Sequence, residues 1–269
     1  MLSLSTRLDD KYFSDFGPIR EVVGHTNPAT PEFSQKTVSI PGRAGVWDFG
    51  HGIGTRLLNI PLKYETNDKY ERQRILNDLV AFLFDQYGKP IIRKLYFDYE
   101  PDKYYTVKLA SQINPDRLMF TNTFTLQFKA DNPYKNFMLP SNEIVWGADI
   151  PFMSDILLDT GGSLGTITTA QTISINNQGT IAKPLSITVR GSGTDVTFTK
   201  GSRSFSLGTF SDKTIVIDGE TYSVFVDGEE AINALTGDFI TLNTGVNNIQ
   251  ISGTGLNLTL TESLTYQYN

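Results

Sequence analysis

Three clusters in this sequence carry residue types that can do chemistry. Gly50-His51-Gly52-Ile53-Gly54 offers flexible backbone that could cradle a phosphate. A phosphate loop ends in Gly-Lys-Ser/Thr, a dinucleotide fingerprint spaces its glycines differently, and both lead into a helix. This segment meets neither pattern and leads into a strand, so it reads as a flexible hairpin tip. Glu100-Pro101-Asp102-Lys103-Tyr104-Tyr105 is the nearest match to a Glu-x-Asp-x-x-Glu set. Glycoside hydrolysis needs paired carboxylates at a fixed separation. Here Tyr105 stands where the third carboxylate is required, and Pro101 interrupts the strand that should display the set. The segment reads as a charged hairpin turn. Asp227, Glu229 and Glu230 lack the ligand spacing of a calcium loop and read as solvated turn residues.

The remaining chemistry is thin. There is no cysteine, which excludes disulfides, thiol catalysis and thiolate metal sites. His25 and His51 are the only imidazoles, and neither has a recognisable nucleophile partner; no Gly-x-Ser-x-Gly elbow occurs. No catalytic, cofactor-binding or metal-ligating residue is expected. Sugar binding needs exposed aromatic faces. Only Trp47 and Trp146 are available as tryptophans. Phe198, Phe205, Phe210, Tyr222, Phe225 and Phe239 sit in strand patterns, where burial is the default.

The elements that would position such groups are mostly strands. Leu57–Tyr64 alternates, with Leu58, Ile60, Leu62 and Tyr64 on one face. Pro61 within it predicts an edge strand. Ile91–Phe97, Tyr104–Ala110 and Thr123–Lys129 read as further short strands. So do Thr172–Asn176, Leu185–Arg190, Val196–Lys200, Thr214–Asp218, Tyr222–Asp227, Phe239–Asn243, Asn248–Ser252 and Leu256–Thr261, divided by glycine turns. One helix stands out. Asp68 caps it, Glu71 completes a capping box, and Ile75, Leu76, Leu79, Phe82 and Leu83 form its apolar stripe. Gly88 and Pro90 end it. So short a helix is marginal alone and must pack on a sheet.

Length and charge divide the chain. Its 269 residues suit one large or two ordinary domains. Residues 1–138 carry 18 basic and 16 acidic groups; residues 139–269 carry 5 and 13, with 15 of the 23 glycines. An acidic, Lys/Arg-poor second half is a poor nucleic-acid binder. The run Asp131–Pro140 marks a boundary, giving domains 1–138 and 139–269. Met1–Arg7 has no basic region followed by an apolar run, so no signal peptide is expected, and no stretch is long enough to span a bilayer. No membrane partner is expected.

The order and spacing of several segments resemble the distal tail protein (Dit) family of long-tailed phages infecting Gram-positive bacteria. The resemblance runs from Lys36-Thr37-Val38-Ser39-Ile40-Pro41-Gly42-Arg43-Ala44-Gly45 through Asp48-Phe49-Gly50 into Leu57–Tyr64 and the helix. It closes the first half at Phe128-Lys129-Ala130-Asp131-Asn132-Pro133-Tyr134. In the second half Ile175–Thr180 with Pro184, Thr214–Asp218 with Val226-Asp227-Gly228, and Gly237-Asp238-Phe239 with Gly245–Ile249 follow the family order. Thr244 stands where members often have proline, and Asn132 intervenes before Pro133.

The resemblance implies a mainly β protein. Its first domain is β-sandwich-like with one α-helix and a long β-hairpin; its second is a galectin-like β-sandwich. It implies a homo-hexameric ring in the virion tail tip or baseplate, assembled in the host cytoplasm. Partners would be the tail tube protein, the tail-associated lysin or hub protein, the tape-measure protein and, in many members, receptor-binding proteins. DNA would pass through the channel without specific binding. The hairpin around Pro41–Thr55 is the expected inter-subunit element, with Val38, Ile40, Arg43, Val46, Trp47, Leu58 and Ile60 as its contact residues. Its flanking strands hold more apolar surface than a free hairpin can hide. The first half is therefore expected to self-associate, and the acidic second half to remain monomeric. The rival reading is a lectin-like module binding cell-wall carbohydrate.

Overall fold

The computed structural model describes residues 5–115 and 122–269. Met1–Leu4, where the segment read as lacking a signal peptide begins, lie outside the described residues. The chain divides into two compact units, the first running to Lys135 and the second from Asn136 to Tyr268. The division falls inside the Asp131–Pro140 run.

The first unit contains β1 (Thr6–Leu8), β2 (Lys11–Tyr12), β3 (Ile19–Glu21), β4 (Phe33–Ser39), β5 (Val46–Ile53), β6 (Arg56–Tyr64), α1 (Lys69–Leu83), β7 (Arg93–Phe97), β8 (Glu100–Leu109) and β9 (Thr123–Ala130). Seven of these strands run antiparallel in the order β2-β1-β7-β8-β9-β6-β3. β8 pairs with β7 over most of its length and with β9 only through Lys108 and Leu109. The sheet therefore turns over at the end of β8, and both halves line one core. Leu95, Tyr105 and Val107 enter it from one half; Leu58, Ile60, Leu126 and Phe128 enter from the other.

Helix α1 closes that core. Ile75, Leu79 and Leu83 recur at helical spacing and are buried, Phe82 packs at the rim, and Leu76 is half-buried. Asp68 caps the helix, its carboxylate accepting from the Tyr70 amide at 2.9 Å. The expected capping box is not made. Thr66 supplies a hydroxyl that donates to Glu71 and accepts from the Asp68 amide, so Glu71 never reaches back to its cap. The helix stops at Leu83, short of Gly88, because Phe84 turns extended and bridges to Pro90.

Pro61 does not mark an edge. β6 lies between β9 and β3. β3 pairs only with Leu62, Lys63 and Tyr64 before leaving, and the Val22 amide donates to the Pro61 carbonyl at 3.0 Å. The missing Pro61 N–H thus faces the side where the ladder is running out, which is why a near-interior strand tolerates it.

The second unit opens at β10 (Lys135–Phe137), within which the division falls, and continues with β11 (Ser163–Ile167), β12 (Gln171–Asn177), β13 (Lys183–Pro184), β14 (Ile187–Lys200), β15 (Arg203–Asp218), β16 (Ser223–Val226), β17 (Glu229–Glu230), β18 (Thr236–Gly237), β19 (Thr241–Leu242), β20 (Gly245–Glu262) and β21 (Gln267–Tyr268). The main sheet has the order β11-β20-β14-β15-β16-β17, with β12 also on β20 and β18 also on β15. β14, β15 and β20 run for 14, 16 and 18 residues. They replace the pairs of short strands expected at Leu185–Arg190 with Val196–Lys200 and at Asn248–Ser252 with Leu256–Thr261. Glycines read as turns instead sit at bulges within continuous strands. Gly191 is one: its φ is +131°, and a Cβ there would come within 1.9 Å of the Asn257 carbonyl oxygen. The bends let one end of β20 pair with β12 and the other with β11 around a single core. Phe198 and Phe205 stack at 4.9 Å within it.

A buried acid lies near the start of this unit, its carboxylate oxygens without hydrogen-bond partners among the described residues. Glu262 is almost wholly buried beside Ser141 and Gly161, close enough that a Cβ on Gly161 would meet its Oε1 at 2.7 Å. Burial raises its pKa to about 7. Next to it, Leu264 donates to the Ser141 hydroxyl and the Ser141 amide to the Leu264 carbonyl, both at 2.9 Å.

Two outcomes follow from this packing. Leu79→Asp puts an unpaired charge in the first core and should lower stability by about 3 kcal/mol or more; a thermal midpoint within a degree or two of the parent would refute the helix placement. For Glu262, folding favours the protonated form. Below the ordinary carboxylate value of 4.5 the group is neutral in both states and costs nothing. Between there and about 7 only the unfolded chain ionises, so stability falls as pH rises, and the cost is complete above about 7. Glu262→Gln should therefore raise the thermal midpoint at pH 8, with the gain gone near pH 4. A gain independent of pH would contradict the buried-acid account.

Candidate functional site

Strands β4 and β5 form a two-stranded sheet that joins no other sheet. Every residue of β4 is exposed, and β5 is exposed apart from Gly50 and Gly52. The connection between the strands is dictated locally. Pro41 supplies the fixed φ wanted at the second position of a β-turn, and Gly42 has the φ of +82° wanted at the third. The Arg43 amide closes the turn on the Ile40 carbonyl at 3.1 Å. Gly45, at φ +86°, leads the chain back into β5.

The register pairs Val38 with Trp47, Ser39 with Val46, and Phe33 with Ile53. It slips between Gln35 and Thr37, where β5 carries an extra residue at Phe49-Gly50. Asp48 stabilises that bulge by accepting the Gly50 amide at 2.9 Å. The base is closed by the Gly54 amide on the Glu32 carbonyl at 2.6 Å. Near the tip the Arg43 guanidinium lies 4.7 Å from the centre of the Trp47 ring. Gln35 and His51 face each other across the strands at 3.4 Å.

The arm is therefore defined in shape but open in energy. Seven large apolar side chains are in solvent: Phe33, Val38, Ile40, Val46, Trp47, Phe49 and Ile53. A lone two-stranded hairpin is marginal in water, and its outer edges offer unpaired backbone donors and acceptors. Apolar side chains on a ribbon with no second layer mark a surface to be covered by something else.

The structure brings Val38, Ile40, Arg43, Val46 and Trp47 together on this arm. It separates Leu58 and Ile60 from them. Both are fully buried in the first core, because β6 pairs with β9 and not with the arm. The hairpin is thus built from Phe33–Ser39 and Val46–Ile53, with its turn at Ile40–Gly45. Gly50-His51-Gly52-Ile53-Gly54 is no hairpin tip; all but Gly54 lies inside β5, running back to the base. Phe33, Phe49 and Ile53 are additional arm residues. The signal for Ile53 and Phe49 lay in the stretch Phe49–Ile53, whose glycines masked its strand character.

The other candidates are structural. Glu100 is held by Lys135 at 2.9 Å and by Lys103 at 3.6 Å, and Lys103 also pairs with Asp102. Pro101 does not break the strand: β8 begins at Glu100 and carries it. Asp227 and Gly228, both at positive φ, make the two-residue turn between β16 and β17. Asp227 accepts from Lys213 at 2.6 Å and from the Thr214 amide at 2.9 Å, which holds its carboxyl below the usual range. Among the described residues no group of three His, Asp or Glu side chains is placed to hold a metal ion. Phe198 and Phe205 are buried, Phe210, Phe225 and Phe239 are half-buried, and Tyr222 is exposed with its ring edge-on to Phe239. Lys183, which sequence reasoning passed over, is buried against the Glu220 carboxylate, and burial lowers its pKa to about 8. No helix among the described residues is long and apolar enough to cross a membrane.

The family model described as phage tail protein RIFT-related domain matches residues 14–130. The fold matches Dit of phage SPP1, described as a paradigm of the hub adsorption apparatus of phages infecting Gram-positive bacteria. The TM-score is 0.68 at 13% identity, over 98% of this chain and 100% of that one. A chain of the phage p2 baseplate in its activated conformation with calcium aligns at TM-score 0.45 and 10% identity, over 98% of each chain. No curated protein matches the sequence.

The arm's exposure has a direct consequence. Replacing Val38 and Trp47 together by lysine touches no core contact, so the thermal midpoint of the monomer should stay within about 2 °C of the parent. Any concentration-dependent association seen by light scattering should be lost. Association unchanged in the double variant would show that the arm is not a contact surface.

Proposed function

We propose that this chain is the ring-forming structural hub of a phage tail tip, a reading supported by the match of residues 14–130 to the phage tail RIFT-related family model and by the likeness of the whole fold to a distal tail protein. On this reading six copies close into a ring that joins the tail tube to the baseplate. The ring axis leaves a channel through which DNA passes without specific contacts. The second unit, galectin-like in this reading, stands as a docking module for other tail components. The tail tube protein, the tail-associated lysin or hub protein, the tape-measure end and receptor-binding proteins are the partners it implies. The role is structural, not enzymatic.

The observation that carries the reading is the free hairpin arm. A head-to-tail contact, in which one surface of a copy meets a different surface of the next, closes into a ring when its rotation permits. An arm about eight residues long reaches roughly 25 Å beyond its base, far enough to engage a neighbour. Its edges can add strands to an adjoining sheet, and its apolar side chains can be buried in the same event. The lectin reading has less support: of the strand aromatics, Phe198 and Phe205 are buried and Phe210 and Phe239 pack against the second core.

Native mass spectrometry and negative-stain microscopy of the full-length chain across a concentration series test this. The expected result is a closed ring of six copies with a central opening. A chain that stays monomeric up to high micromolar concentration, or that forms only two-fold dimers, would refute the ring.

A further inference from the structure

The second unit holds a buried amine that no site described above uses. Lys183 stands on the short strand β13, and its side chain is 3% exposed. Its Nζ makes no hydrogen bond among the described residues. What it faces is the carboxylate of Glu220, whose side chain is 51% exposed. An ammonium sunk without hydrogen bonds is costly, and a partly solvated carboxylate beside it offsets only part of that cost.

Both partners are held in place by ordered backbone. β13 pairs with β19, Lys183 opposite Leu242. Glu220 sits in the turn between β15 and β16, and that turn is fastened to the residues just after Lys183. A Cβ on Gly219 would meet the Leu185 carbonyl oxygen and the Pro184 Cβ, each at 2.6 Å, so glycine is what lets the turn come this close. The Gly219 amide donates to the Ser186 hydroxyl at 3.1 Å. Asp218 accepts from the Glu220 amide at 2.9 Å and from the Thr221 hydroxyl at 2.7 Å, which fixes the turn from within. Amine and carboxylate are therefore kept together by the fold. Such proximity converts a slow bimolecular condensation into an intramolecular one.

The surroundings favour that step. Burial, opposed by the Asp218 charge, lowers the Lys183 pKa to about 8, so part of the amine is unprotonated near neutral pH and can act as a nucleophile. A cavity of about 270 Å³, lined by Lys183, Ser186, Asp218 and Glu220 among others, opens on the pair and gives a released water a way out.

We propose that Lys183 and Glu220 condense into an intramolecular isopeptide bond. The ammonium first passes a proton to the carboxylate, leaving a neutral amine and a neutral acid. Nζ then attacks Cδ of Glu220, a C–N bond forms, and the C–OH bond breaks. The hydroxyl leaves with one amine proton as water. One cation and one anion disappear together, and no oxidant or cofactor is required. The product replaces a buried charge by an amide N–H. It also ties the β13–β19 pair to the main sheet covalently, in a chain that has no cysteine to make a disulfide. Like a disulfide, such a staple restricts the unfolded chain.

Intact-mass spectrometry of the denatured full-length chain tests this. The parent should weigh one water less than its sequence, and Lys183→Arg and Glu220→Ala should each have their full sequence mass. Proteolysis and tandem mass spectrometry should find the Lys183 and Glu220 peptides joined. A succinimide at Asp218-Gly219 or Asp227-Gly228 would also lose one water, but it survives Lys183→Arg and joins no peptides. A parent that keeps its full sequence mass after prolonged incubation at pH 8 overturns the proposal. So does a water loss that persists in Lys183→Arg.

Discussion

A two-stranded ribbon has no second layer. Each apolar side chain on it faces water on its own side, and each outer edge presents backbone groups without partners. The β4–β5 arm is such a ribbon, and much of the first unit can be understood as what holds it in place. β6, which follows the arm directly, is locked between β9 and β3. Its alternate residues Leu58, Ile60, Leu62 and Tyr64 are sunk in the core. Helix α1 then seals that core with Ile75, Leu79 and Leu83. The turn at Pro41-Gly42 and the bulge at Phe49-Gly50 give the arm a fixed turn and twist. The rigid base and the uncovered arm are complementary: the strain of leaving apolar surface wet is tolerable only because the base is well buried.

How much of this the sequence revealed depended on whether one residue could signal one state. Helix α1 was legible because a cap and a 3.6-residue apolar stripe agree, while its end at Phe84, short of Gly88, was set by a bridge to Pro90 that composition does not show. The alternation of β6 was legible for the same reason. The long strands of the second unit were not. Gly191, Gly253 and Gly255 have the composition of turns, yet they sit at bulges where a strand bends and continues. Local composition cannot distinguish a chain that reverses from one that kinks; only the partner strand decides. The hairpin suffered the same ambiguity. The glycines of Gly50–Gly54 hide the returning strand, which is why Leu58 and Ile60 read from sequence as arm residues although they belong to the core.

The ionisable groups tell a consistent story about chemistry. Several carboxylates are satisfied by cations: Glu100 by Lys135, Asp131 by Lys108 and Lys129, Asp227 by Lys213. The strongly perturbed groups, Glu262 and Lys183, are perturbed chiefly by burial, Glu262 beside Ser141 and Lys183 against Glu220. Perturbed acids can mark active sites, but they mark structural anchors equally well. Here the neighbours of Glu262 are the Ser141 turn and the Gly161-Gly162 backbone, and it is the backbone around Glu262, through its own amide and that of Leu264, that fastens this part of the unit.

The distribution of unsatisfied surface then bears on symmetry. A chain with one self-complementary patch pairs about a two-fold axis and stops at a dimer. Among the described residues the arm gathers seven exposed apolar side chains on one ribbon, from Phe33 to Ile53. Two arms would gain little by pairing with each other, since neither ribbon offers the other a second layer to sink into. A ribbon covered instead by a different surface of another copy would make a contact that is not self-complementary. Such a contact would leave each copy with one unused surface of each kind, and it would repeat until the copies closed on themselves.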